Sequence, residues 1–208
     1  MRAWRLASTS AYALFLSALA LVGCPAGGGH LGWTYTFGQY VTGESIAQAT
    51  DGGYLVAGTG LPEESSDLHN RLAVAKLSPT GTLQWWRILE HLYVEGERTF
   101  GAAVSDGGAI VAGLSAPYDD QTGRLRVVRL DGQGDSVWDR TYGQCPIESH
   151  AVLTMVDGGC VIAGYGIVPG KETDDSKSGF VSQEYLFKLN SVGDILWERH
   201  YTSPLAAR

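Results

Sequence analysis

Apolar residues in this chain come in short runs closed by glycine. The segment Asp51-Gly52-Gly53-Tyr54-Leu55-Val56-Ala57-Gly58 returns as Asp106-Gly107-Gly108-Ala109-Ile110-Val111-Ala112-Gly113 and again as Asp157-Gly158-Gly159-Cys160-Val161-Ile162-Ala163-Gly164. In each copy the last glycine stands seven residues after the aspartate. A stretch that admits neither insertion nor deletion behaves as a tight hairpin leading into a buried strand. Asp-Gly between apolar runs predicts a two-residue turn, in which glycine takes φ > 0 without a Cβ penalty. Ahead of each hairpin lies another short β pattern, at Ser45 to Thr50, Phe100 to Ser105 and His150 to Val156. Behind it a strand ends in Lys76-Leu77, Arg129-Leu130 or Lys188-Leu189. A glycine follows five residues after each basic residue, at 81, 134 and 193, and four residues later a tryptophan opens the next strand. Those Trp-led strands are Trp33 to Gly38, Trp85 to Leu89, Trp138 to Gly143 and Trp197 to Tyr201.

Trp33, Trp85, Trp138 and Trp197 are 52, 53 and 59 residues apart, a period that signals a repeat architecture. Short β-branched and aromatic runs with frequent turns, and no helical periodicity beyond the N-terminal segment, make the chain all-β. Four strands per unit is the make-up of a propeller blade. The expected fold is a partial β-propeller of three four-stranded antiparallel blades plus one extra strand. Its units run 33–84, 85–137 and 138–196, with a partial unit 197–208. Propellers close with about four to eight blades, so three leave open edges that invite pairing. Three readings follow: a homodimer completing a ring, an open β-array, or a truncated remnant of a longer propeller.

Residues 1–23 read as a targeting segment, with Arg2 and Arg5 ahead of an apolar run from Ala11 to Val22 that is short for a membrane span. At the end of that run, Leu21-Val22-Gly23-Cys24 resembles the lipobox of bacterial lipoproteins. The resemblance implies cleavage before Cys24, acylation of its thiol, and a place in the bacterial cell envelope as an outer-membrane lipoprotein facing the periplasm or the cell surface. An ordinary cleaved signal peptide and an uncleaved anchor are the other readings. Pro25-Ala26-Gly27-Gly28-Gly29-His30, within residues 24–32, has the composition of a flexible tether. Setting aside Arg2 and Arg5 takes the formal charge from −7 to −9. No basic run breaks that acidity, which argues against nucleic acid as a partner.

The motif order Trp-x-x-x-aromatic-Gly, Asp-Gly-Gly-x-x-x-Ala-Gly, Lys/Arg-Leu-x-x-x-Gly-x-x-x-Trp resembles a family of bacterial and archaeal secreted repeat proteins, across Trp33 to Tyr201. That resemblance implies a propeller and leaves the function open. A more distant similarity to quinoprotein-type propeller repeats implies, as an alternative, a quinone-dependent enzyme or a propeller-type hydrolase.

Trp33, Trp85, Trp138 and Trp197 share one slot of the repeat, so they read as packing between blades, and Trp86, without a counterpart, as the better exposed contact. Asp51, Asp106 and Asp157, with Gly52, Gly53, Gly107, Gly108, Gly158 and Gly159, read as structural turns in which the short carboxylate bonds its local backbone. Lys76, Arg129 and Lys188 sit among buried aliphatics, which suggests an acidic neighbour, or else a cationic ring along a channel. Acidic loop clusters (Glu63-Glu64-Asp67, Asp119-Asp120, Glu172-Asp174-Asp175) lack calcium-loop spacing. Cys145 and Cys160 fall near opposite ends of one strand, so free thiols are expected. No nucleophile elbow, zinc-protease helix or phosphate loop is present in the sequence. The expected role is a lipid-anchored, non-enzymatic binding or scaffold protein, held to the membrane by its lipid and meeting a protein or surface polymer, with no cofactor and no metal.

Overall fold

The computed structural model describes residues 33, 35–36, 41–60, 71–89, 100–104, 106–115, 123–143, 147–169 and 180–202. The chain divides into two compact units, Met1–Thr36 and Phe37–Arg208. In the first, Trp33, Tyr35 and Thr36 lie outside any strand, so the strand expected from Trp33 is not seen at these positions. Cys24 and Cys145 lie outside the described residues.

The described residues of the second unit form twelve strands in three antiparallel meanders, with no helix among them. Sheet one orders β1 (Val41–Gln48), β2 (Tyr54–Gly60), β3 (Arg71–Leu77) and β4 (Leu83–Leu89). Sheet two orders β5 (Phe100–Ala103), β6 (Ala109–Ser115), β7 (Arg124–Leu130) and β8 (Ser136–Tyr142). Sheet three orders β9 (Ile147–Thr154), β10 (Cys160–Pro169), β11 (Phe180–Leu189) and β12 (Ile195–Thr202). The first strand of each sheet lies against its neighbour's, β1 by β5 and β5 by β9, as in successive blades. The protein is an all-β partial propeller.

Two sequence expectations are corrected. The Trp-led strand closes a sheet rather than opening one: Trp85, Trp138 and Trp197 pair with Lys76, Arg129 and Lys188 on the preceding strand. The partial unit 197–208 therefore supplies β12, and the extra strand expected beyond three blades completes the third. The hairpin, too, is a residue longer than expected. Ala49 N–H donates to Gly53 O at 2.8 Å and Gly52 N–H to Ala49 O at 3.0 Å, which encloses the three-residue loop Thr50-Asp51-Gly52. Only its last residue needs the left-handed region, and Gly52 has φ 79°. The β3–β4 turn repeats this arrangement, with Gly81 N–H donating to Ser78 O at 3.0 Å. The second glycine of the motif answers to close approach instead: a Cβ on Gly53 would lie 2.4 Å from Leu77 O.

Sheets pack face to face through two apolar layers. Leu55, Leu72 and Val74 of sheet one meet Val111, Val128 and Leu130 of sheet two, with Trp85 and Leu89 at the margin. Ile110, Leu125 and Val127 of sheet two meet Ile162, Tyr185, Phe187 and Leu189 of sheet three. Cys160 is a buried free thiol in that second layer, and burial pushes it up to about 12, so it stays protonated and unreactive. Trp86 is half-buried and overlies Ala73 and Ala75 on the opposite face of sheet one, which departs from the exposed contact expected of it.

Candidate functional site

Where two sheets meet, the hairpin end of one lies beside that of the next, and the repeated polar residues gather there. On sheet one the Asp51 carboxylate accepts the Gly53 N–H at 2.9 Å and pairs with Lys76 Nζ at 2.9 Å. The same ammonium donates to Gly107 O on sheet two at 3.2 Å, so one cation ties a turn to its neighbour. On sheet two Asp106 accepts Gly108 N–H at 3.0 Å and pairs with Arg129 at 2.5 Å, while Arg129 donates to Gly158 O on sheet three at 2.9 Å. Lys76 and Arg129 thus lie between sheets, not along a shared channel. Asp157 accepts Gly159 N–H at 2.9 Å in the third copy of the turn.

The indoles extend the pattern. Trp85 Nε1 donates to Gly132 O at 2.8 Å and Trp138 Nε1 to Ser191 O at 2.9 Å, each reaching the β3–β4-type turn of the following sheet. Arg87 then donates to Gln133 O at 3.0 Å and pairs with Asp135 at 3.4 Å, and Arg140 pairs with Asp194 at 2.6 Å. The other two tryptophans depart from the packing expected of them: Trp197 pairs with Lys188 on the face of sheet three turned away from the other sheets, and Trp33 is half-buried in the first unit.

These contacts set the charges. Asp51 is held below its ordinary 3.8 by the Lys76 ammonium first and the Gly53 amide second. For Asp106 burial pulls upward, but the Gly108 amide and Arg129 outweigh it and the carboxyl ends below the same value. Both are carboxylates at neutral pH. Tyr142, buried in the second layer, is pushed up to about 12 by that burial and donates its hydroxyl to Gly193 O at 2.6 Å.

Between sheets one and two this frame leaves an open groove of about 860 Å³. Its walls include Asp51, Lys76, Trp85 and Asp106, and its rim carries the amides of Gln84 and Gln133. Lys76 is engaged on both sides and 3% exposed, so the accessible chemistry is that of the two exposed amides, the Thr50 hydroxyl, the outer part of the Arg87 guanidinium and the free carboxylate lone pairs. Such a set donates and accepts hydrogen bonds to a polar ligand. Among the described residues, no group of three or more His, Cys, Asp or Glu is placed to hold a metal ion. Gln84 and Gln133 were invisible as a pair in the sequence, since they stand 49 residues apart and neither belongs to a motif.

No protein-family model and no curated protein matches the sequence. Among solved structures the chain is similar to the Synechocystis apocarotenoid oxygenase, with TM-score 0.45 and 11% identity over 80% of this chain and 40% of that one. It is similar to the Pyrococcus horikoshii acylaminoacyl peptidase, with TM-score 0.45 and 8% identity over 80% of this chain and 26% of that one. A Bacteroides caccae protein of unknown function gives TM-score 0.37 and 11% identity over 81% and 85% of the two chains. The chain thus spans less than half of the first two proteins, and likeness at this level carries no activity across.

Proposed function

We propose that this chain is a lipid-anchored binding or scaffold protein of the bacterial cell envelope, tethered through Cys24 and recognising a surface polymer or protein segment at the groove between its first two sheets. The observation that carries the binding role is the division of labour at that groove. Its cations fasten one sheet to the next, while Gln84 and Gln133 stand free at the rim of an opening of about 860 Å³. Neutral amides over ionised carboxylates suit a hydroxyl-rich or peptide-like partner, and variable loops on a rigid frame suit recognition. The lipid anchor is supported by the Leu21-Val22-Gly23-Cys24 sequence and the glycine-rich stretch after it.

Labelled palmitate incorporation tests the anchor: wild-type chain takes up label and fractionates with the outer membrane, and Cys24→Ser does neither. Calorimetric titration with purified envelope polysaccharide tests the groove. Binding by the wild type that Gln84→Ala and Gln133→Ala together reduce at least about tenfold supports the reading; titrations that are flat, or equal for both proteins, exclude the polysaccharide as partner. A quinone-like absorbance in the purified protein would replace this reading with an enzymatic one.

A further inference from the structure

The face of sheet three turned away from the other sheets breaks the repeat at one position. Period-two alternation and the β11–β12 register put three cross-strand pairs on it: Lys188 with Trp197, Leu186 with Arg199, and Glu184 with Tyr201. In sheets one and two the third-strand positions matching Glu184 are Leu72 and Leu125, 2% and 0% exposed beneath the following sheet. Glu184 is exposed instead. A fourth sheet docked as the second and third are would bury that carboxylate in a leucine's place, which is strongly unfavourable without a partner charge. Yet the face is no ordinary solvated surface. Tyr201 is 53% and Leu153 64% exposed on it, and Lys188, unlike Lys76 and Arg129, forms no ion pair among the described residues. The face has a cationic end and an acidic end, with Leu186 midway between them.

We propose that this face binds the same face of a second copy, about a two-fold axis that crosses the strands over Leu186. Such an axis reverses strand direction, so residues equidistant from Leu186 exchange places. Lys188 of each copy meets Glu184 of the other, Trp197 meets Tyr201, and the two Leu186 side chains meet on the axis. Each ion pair is made twice, as an isologous interface requires. Arg199 shares the axis row but lies on edge strand β12, where its guanidinium donates to its neighbour's carbonyl, Glu198 O, at 3.0 Å and remains exposed. This association is a face-to-face sandwich, distinct from closure of a ring. It does not depend on the ligand of the groove.

Sedimentation equilibrium of the full chain in density-matched detergent tests it. The wild type sediments as a reversible dimer. Lys188→Glu and Glu184→Lys each weaken association at least about tenfold, because each sets like charges together twice, and the double reversal restores it. A second measurement is independent of folding in the variants. In a mixture of ¹⁴N and ¹⁵N chains, carbodiimide condenses the Lys188 amine with the Glu184 carboxylate, forming an amide with loss of water, and the product carries one light and one heavy half. Within one copy the two residues are about 13 Å apart along β11, beyond such a bond. A wild type monomeric at every concentration, a dimer indifferent to both reversals, or a mixed-isotope product absent from this pair overturns the proposal.

Discussion

At the first joint Lys76, Trp85 and Arg87 reach from sheet one to Gly107, Gly132 and Asp135 of sheet two; at the second, Arg129, Trp138 and Arg140 reach from sheet two to Gly158, Ser191 and Asp194 of sheet three. The fasteners correspond one to one. The rims do not. Where the first joint has Gln84 and Gln133, the second has Val137 and Val192, 56% and 54% exposed. The frame therefore resides in groups that bond backbone carbonyls and tolerate any side chain on the far side, whereas the character of each rim resides in two residues whose side chains bear no structural burden. One architecture thus carries a polar rim and an aliphatic one side by side.

The largest difference between the joints is expected at their turn glycines. A Cβ on Gly134, at φ 82°, would lie 2.8 Å from the Trp85 ring; on Gly193, at φ 83°, it would lie 3.2 Å from the Trp138 ring. Both substitutions carry the left-handed penalty of about 1–2 kcal/mol, but only the first forces an indole out of place, adding about 1–3 kcal/mol. Urea unfolding should therefore rank Gly134→Ala well below Gly193→Ala, and equal midpoints would show that the two indoles are not held alike.

Next comes the cation. Lys76→Met leaves Asp51 without its partner and Gly107 O without a donor. Because Asp51 is 47% exposed and can rehydrate, the loss should be about 1–2 kcal/mol rather than that of a fully buried pair. Its pH dependence identifies the cause. Asp51 is depressed in the folded protein, so its contribution is present above the unfolded value near 3.8 and disappears as pH falls through the lower folded value. The gap between wild type and Lys76→Met, read as unfolding midpoint, should be widest at neutral pH and narrow below about pH 4. A gap independent of pH would assign the effect to lost packing of the lysine stem.

The smallest effect on stability belongs to the rims. Exchanging Gln84 and Gln133 for valine copies the second joint onto the first and should move stability by no more than about 0.5 kcal/mol, while hydrogen bonding to any groove ligand is lost. A large drop in melting temperature would mean that the amides are part of the frame after all.

Much of this frame was legible in the sequence because each element of it recurs. Asp51, Asp106 and Asp157 bond the amide two residues on, and Trp85 and Trp138 reach between sheets. Phase was not legible. A period fixes the distance from Trp85 to Trp138 but not whether tryptophan starts or ends a sheet; only the pairing of Lys76 with Trp85 decides that. The partner of the recurrent cation was equally hidden, since Lys76 contacts Gly107, 31 residues away and in another sheet. The groove was least legible of all, because its rim depends on two residues that no repeat marks.

The meander order of each sheet has a consequence for how the chain reaches its native state. Among the described residues every strand pairs only with its neighbour in sequence, and each β1–β2-type and β3–β4-type turn closes over three residues with glycine last. Such hairpins form on the microsecond scale, about 1–10 μs each, without waiting for distant segments to meet. Assembly should then proceed as local zippering followed by docking of finished sheets. Pairing confined to sequence neighbours within each sheet lets a chain emerging from a ribosome or a translocation pore build its blades one after another in the order of synthesis.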